Sequence, residues 1–176
     1  MKDKIFTFLD DQSVVGFTGY INFLDPSNSQ IIGTIFFMNG HILGSKYGSF
    51  SSHKGLINLL IKLTESEYRV VLEPGIIGKT DRKLNLSVKA LKKDFESVFA
   101  EYLKSKDLKP PKDLTLVVNP QYLKDQKTLT VPEFNLLTTI VDYSKVEDVY
   151  KNSQLIDFEI TNILVNLRKK EAIKVL

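Results

Sequence analysis

Two runs of β-forming residues, Ile31 to Met38 and His41 to Ser45, are separated only by Asn39-Gly40. Both turn residues tolerate positive φ, which a two-residue hairpin requires, so this stretch is committed to an antiparallel strand pair. Around it, Val14 to Leu24 is rich in β-branched and aromatic residues and stops at the turn-forming cluster Asp25-Pro26-Ser27-Asn28-Ser29, which reads as another strand and turn. From His53, Leu56, Leu59, Leu60 and Leu63 recur at helical spacing, with Ser51 or Ser52 placed to cap the helix. Tyr68 to Glu73 is a further strand, ended by Pro74-Gly75. Strand, hairpin, helix and strand in that order predict an α+β fold with a mixed or antiparallel sheet.

Leu84, Val88, Leu91, Phe95, Val98 and Tyr102 are spaced 4, 3, 4, 3 and 4 residues apart. This heptad seam predicts one long helix over 84–104 with a narrow apolar stripe. The stripe either packs on the sheet of its own domain or, as the alternative, joins two copies into a homodimer. Pro110-Pro111 among alternating charges then marks a linker over 105–113. Beyond it, Leu114 to Val118 reads as a short strand, and Thr130-Val131-Pro132-Glu133 has the form of a capping box opening a helix with Phe134, Leu136, Leu137 and Ile140. Short helices over 145–150 and 157–169 and a strand at 172–176 complete a small helical, winged-helix-like pattern. The expected organisation is a domain over 1–104, the linker 105–113 and a second domain over 114–176.

In a chain of 176 residues, 43% hydrophobic and 26% charged residues are enough for a real core and exclude wholesale disorder. Basic and acidic side chains number 14 and 12 over residues 1–108, and 10 and 9 over 109–176. Neither half carries the concentrated positive field of a dedicated nucleic-acid binder. Cysteine is absent, which excludes disulfides, thiolate metal sites and cysteine nucleophiles. The opening residues hold no signal-peptide core, and no run approaches the roughly 20 apolar residues of a spanning helix, so the expected location is cytoplasmic, with no membrane partner.

Gly78-Lys79-Thr80 has the ending of a phosphate-binding loop, but the glycine that pattern needs five residues earlier is Glu73, a carboxylate that repels phosphate. His41 and His53 are the only imidazoles and neither has a carboxylate at ligand spacing, so no metal site is expected. Ser51-Ser52-His53 lacks the glycine-flanked elbow of a nucleophile and reads as a helix cap. Asp10-Asp11 offers an acidic surface to a basic partner. Binding of a small molecule such as a nucleotide messenger would require Arg69, Lys79 and Arg82 to converge. The last predicted helix opens on Asp157 and Glu159 and carries Arg168, Lys169 and Lys170 at its far end. A DNA-reading helix needs basic or amide groups in its first turns, so this arrangement argues for protein binding instead.

Gly19-Tyr20-Ile21, Gly33-Thr34-Ile35-Phe36-Phe37-Met38-Asn39-Gly40-His41-Ile42-Leu43-Gly44-Ser45, Gly48, Gly55-Leu56-Ile57-Asn58-Leu59-Leu60, Tyr68-Arg69-Val70 and Pro74 together resemble the PATAN or DUF4388 family of bacterial signalling modules. The resemblance covers about a third of the chain. It implies structural roles for Gly19, Gly33, Gly40, Gly44, Gly48 and Gly55, with Ser45 where the family has a small alanine. The leading strand and helix that commonly precede this module are reduced here to residues 1–14. Residues 114–176 are similar to the helical or winged-helix-like tail that often follows this module. The resemblance implies a non-enzymatic adaptor in motility or polarity signalling, without catalytic residues or a cofactor, that meets a response regulator, a pilus motor ATPase or a Ras-like GTPase in trans. Tyr47, Phe50, Tyr122 and Tyr143 are the aromatic candidates for its protein interface, because aromatic anchors dominate binding hot spots. The rival expectation is a DNA-binding transcriptional regulator acting through 114–176.

Overall fold

The Asn39-Gly40 turn forms as expected, with φ of 50° and 77° at its two residues. In the computed structural model, which describes residues 2–48, 50, 53–124 and 129–176, it joins β2 (Ile31–Met38) to β3 (His41–Lys46). With β1 (Gly19–Leu24) and β4 (Arg69–Pro74) they make a four-stranded antiparallel sheet of order β3-β2-β1-β4. The chain is mixed α+β and divides into two compact units, 1–99 and 100–176.

In the first unit the register sets Ile21 against Ile35 and against Leu72. Side chains alternate across a strand, so Ile21, Phe23, Ile35 and Phe37 share one face, and all four are fully buried. Helix α2 (His53–Glu65) lies over this face: a Cβ at Gly33 would come within 2.6 Å of Leu59 Cδ1, so the absence of a side chain lets helix and strand approach. Its buried Leu56, Leu59, Leu60 and Leu63 are the residues whose spacing predicts it. The capping serines, Ser51 and Ser52, lie outside the described residues.

Residues 2–14, for which the sequence reading gives no helix, form α1 (Lys2–Val14). Ile5, Phe6 and Leu9 are its buried anchors. Phe6 meets Phe95 at 5.5 Å between ring centroids, and the Ser13 hydroxyl donates to the Gly40 carbonyl at 2.8 Å. A Cβ on Gly40 would collide with the Ser13 carbonyl oxygen, and φ there is left-handed, so this corner requires glycine on two counts.

The long helix α3 (Val88–Ser105) starts later than the seam predicts. Leu84 donates its N–H to the Leu43 carbonyl at 2.7 Å, and Leu86 and Ile42 exchange backbone hydrogen bonds. Residues 83–86 are therefore drawn along the edge of β3, and the helix opens only after Ser87, whose hydroxyl accepts from Ala90 N–H at 3.2 Å. Val88, Leu91 and Phe95 are buried, whereas Val98 and Tyr102 are half-buried. The division between the units falls within α3 rather than at the proline pair.

The second unit comprises β5 (Leu116–Val118), α4 (Pro120–Lys124), α5 (Val131–Asp142), α6 (Val146–Asn152), α7 (Asp157–Lys169) and β6 (Ile173–Val175), with β5 and β6 antiparallel. Leu136, Leu137, Ile140, Val146, Val149, Ile160, Leu164 and Leu167 build its core. The segment expected as a free linker is tied into this unit: Lys109 Nζ lies 2.6 Å from Asp157 Oδ2 and 4.4 Å from the centre of the Tyr150 ring. No helix of the described residues is long and apolar enough to cross a membrane.

Candidate interaction surface

The box at the start of α5 forms in full. Thr130 Oγ1 accepts from Glu133 N–H at 3.4 Å, and Glu133 Oε2 accepts from Thr130 N–H at 2.9 Å. The other carboxylate oxygen, Oε1, takes Lys170 Nζ at 2.6 Å. Glu133 is buried, and the hydrogen bond from Lys170, followed by those from Thr130, holds its carboxyl below the usual carboxylate range. Its ionised charge is thus spent on fixing the helix and on tethering the chain end beyond α7.

With that carboxylate turned inward, the outward side of α5 carries no charge before Asp142. At 3.6 residues per turn, Val131, Phe134, Thr138 and Val141 fall within about a quarter of the helix circumference. Val131, Phe134 and Val141 are 74%, 57% and 70% exposed. Thr138 is exposed and donates its hydroxyl proton to the Asn135 carbonyl at 2.8 Å, leaving the stripe without a free donor from that side chain. The buried residues Leu136, Leu137 and Ile140 occupy the other side. A surface helix ordinarily shows one apolar stripe to the core and charges to water; α5 shows apolar residues on both.

The aromatic candidates fare differently. Tyr122 is only 3% exposed and belongs to the core of the second unit, which removes it as an interface residue. It sits on α4, a one-turn helix that the sequence reading leaves unrecognised, and that turn points its ring inward. Tyr143, at the end of α5, is 42% exposed. Tyr47 and Phe50 are half-buried and clasp each other through two backbone hydrogen bonds of 2.9 Å. Of the glycines, Gly19, Gly33, Gly40, Gly44 and Gly55 each meet neighbouring atoms where a Cβ would sit, while Gly48 has open space and φ of 56°.

Among the described residues, those weighed for chemistry stay apart. His53 Nε2 is 3.7 Å from Asp94 Oδ2, both side chains being substantially exposed, and among the described residues no group of three or more metal-ligating side chains comes together. Gly78-Lys79-Thr80 leads into a single 3-10 turn, Lys79–Asp81, with the Asp81 carboxylate beside Gly78. Arg69 donates to Ser29 at the start of β4, while Arg82 donates to the Ile77 carbonyl at 3.0 Å beyond its end. Five residue steps of strand, about 17 Å, separate those ends, so the three cations do not converge. At the start of α7, Asp157 is paired with Lys109, and Glu159 Oε2 accepts from Ile156 N–H at 2.9 Å. Asp10 and Asp11 lie exposed on α1.

Comparison with family models, with curated proteins and with solved structures gave no match.

Proposed function

We propose that this protein is a non-enzymatic bacterial signalling adaptor, PATAN-like in its first unit and winged-helix-like in its second, which binds a protein partner through the outward face of α5. The observation that carries this reading is the uncharged apolar stripe Val131-Phe134-Val141. Interface cores are depleted in charge and enriched in large apolar and aromatic side chains, and an exposed stripe of this kind on a surface helix marks a docking face. The partner classes are those that the family resemblance implies: a response regulator, a motor ATPase or a Ras-like GTPase.

The electrostatics of the second unit support a protein partner over DNA. Asp157 and Glu159 occupy the first turn of α7, where phosphate would be repelled. Lys170, one of three cations at the far end, is held by Glu133.

Affinity capture with the full chain at about 0.3 M salt, where charge contacts are screened beyond about 6 Å, tests the reading. Wild type should retain a receiver-domain protein, a motor ATPase or a GTPase, and the Phe134→Asp/Val141→Asp variant, folded by circular dichroism, should lose it. Retention by the variant, or binding of duplex DNA alone, would overturn the proposal.

A further inference from the structure

The two edges of the four-stranded sheet differ. The outer edge of β3 is covered by residues 83–86. Among the described residues nothing pairs with the outer edge of β4, and five of its six residues are exposed. Natural edge strands are usually blunted by lysine, proline or a bulge. β4 has only Pro74, at its end, and shows Val71 and Leu72 at 47% and 41% exposure.

The direction of its backbone groups follows from one bond. Gly75 N–H donates to the Thr18 carbonyl at 3.3 Å, and in an antiparallel pair bonded and non-bonded positions alternate. Arg69, Val71 and Glu73 therefore bond to β1, whereas Val70 and Leu72 turn their N–H and C=O groups outward. Pro74, which has no N–H, falls on the outward set, as it must.

We propose that a second copy of this chain docks on this edge, β4 against β4, antiparallel about a two-fold axis through Val71, giving a continuous eight-stranded sheet. In this register Val70 and Leu72 of each copy exchange hydrogen bonds with the partner's Leu72 and the partner's Val70. Arg69 stands opposite the partner's Glu73 on the same face, twice by symmetry. Among the described residues neither Arg69 nor Glu73 has an ion-pair partner within its own chain; Arg69 donates to Ser29, and Glu73 accepts from Asn22 Nδ2 at 3.2 Å.

Charge selects this register over its neighbours. Moving the axis to Val70 sets Glu67 opposite the partner's Glu73, a like-charge pair. Moving it to Leu72 sets Glu73 opposite Val71 and brings Val70 against Pro74, which cannot return a hydrogen bond. Opposite charges directly across antiparallel strands stabilise and like charges destabilise, so of these three registers only the Val71-centred one sets opposite charges across from each other and gives both Val70 and Leu72 a partner that can return the hydrogen bond. An isologous contact of this kind closes on itself as a dimer.

Sedimentation of the full chain from about 1 to about 500 µM, a range that spans weak interface affinities, tests the pairing. Wild type should form dimers. Arg69→Glu and Glu73→Arg should each weaken association by about tenfold or more, since each places like charges opposite one another twice. The Arg69→Glu/Glu73→Arg double variant should restore it, which a folding defect would not do. Amide exchange should slow with concentration at Val70 and Leu72, while Val71, already bonded to β1, changes little. A chain monomeric throughout the range, or a dimer indifferent to the reversals, or single variants that the double variant fails to rescue, would overturn the proposal.

Discussion

Replacing Tyr150 by Phe should remove a stability loss at alkaline pH that belongs to one of the seven tyrosines of the chain. Tyr150, on α6, places its hydroxyl 2.7 Å from Thr161 Oγ1. Thr161 is buried and already donates its single proton to the Asp157 carbonyl at 2.9 Å, so the phenol is the donor of the pair. Burial of the phenol, with the Asp157 carboxylate adding to it, pushes Tyr150 from the ordinary 10.0 up to about 12. A proton held more tightly in the folded state gives stability that is complete below pH 10 and is lost as pH rises from 10 through about 12. The shift corresponds to at most about 3 kcal/mol, and about 2 kcal/mol is expected because the ring is not wholly desolvated. At neutral pH, Tyr150→Phe loses one hydrogen bond and should cost about 1 kcal/mol. Urea unfolding of wild type and variant from pH 8 to pH 12, with phenolate absorbance followed in parallel, measures both effects. The variant should be less stable at pH 8, and the gap should shrink or reverse by pH 12. A tyrosine missing from the variant's titration near pH 10, or a gap constant with pH, would refute the reasoning.

Phe95 is fully buried between the rings of Phe6 and Phe99, at centroid distances of 5.5 and 5.2 Å; Phe95→Ala should destabilise the chain by about 3–5 kcal/mol, read by urea unfolding. It should also raise amide exchange along α1, whose Phe6 loses its main aromatic neighbour. Glu133 titrates below the usual range because Lys170 and Thr130 bond to its ionised form, so its contribution is present above about pH 4.5 and is lost as pH falls through the lowered value. Thermal melts from pH 3 to pH 7 should show a steeper acid loss for wild type than for Glu133→Gln.

Local chemistry made much of the fold readable. Asn39-Gly40 dictates its hairpin, the leucines of 56–63 dictate α2, and the box at Thr130 dictates where α5 begins. Helix α1 escapes because only Ile5, Phe6 and Leu9 anchor it among charged residues, too few for a clear 3.6-residue period. The start of α3 is displaced because Leu84 and Leu86 satisfy backbone groups of β3, a non-local competition that a heptad count does not register. Tyr122 is buried against its sequence expectation because its one-turn helix is set by tertiary packing rather than by periodicity. The α5 surface does carry a signal in the sequence: its apolar residues Leu136, Ile140, Leu137, Val141, Phe134 and Val131 sweep more than half the helix circumference, wider than the roughly 100° stripe a core needs. The open edge of β4 could not be read locally, since strand order decides which strand is outermost.

The central claim, that the outward face of α5 docks a protein, is tested most directly by site-specific photo-cross-linking. A benzophenone side chain is placed at Phe134 and, as a control, at the exposed position Asn152 on α6, and the cells are irradiated. The account predicts a discrete protein adduct from position 134 that is absent from position 152 and that disappears when Val141→Asp is added. Equal adducts from both positions, or none from position 134, would contradict it.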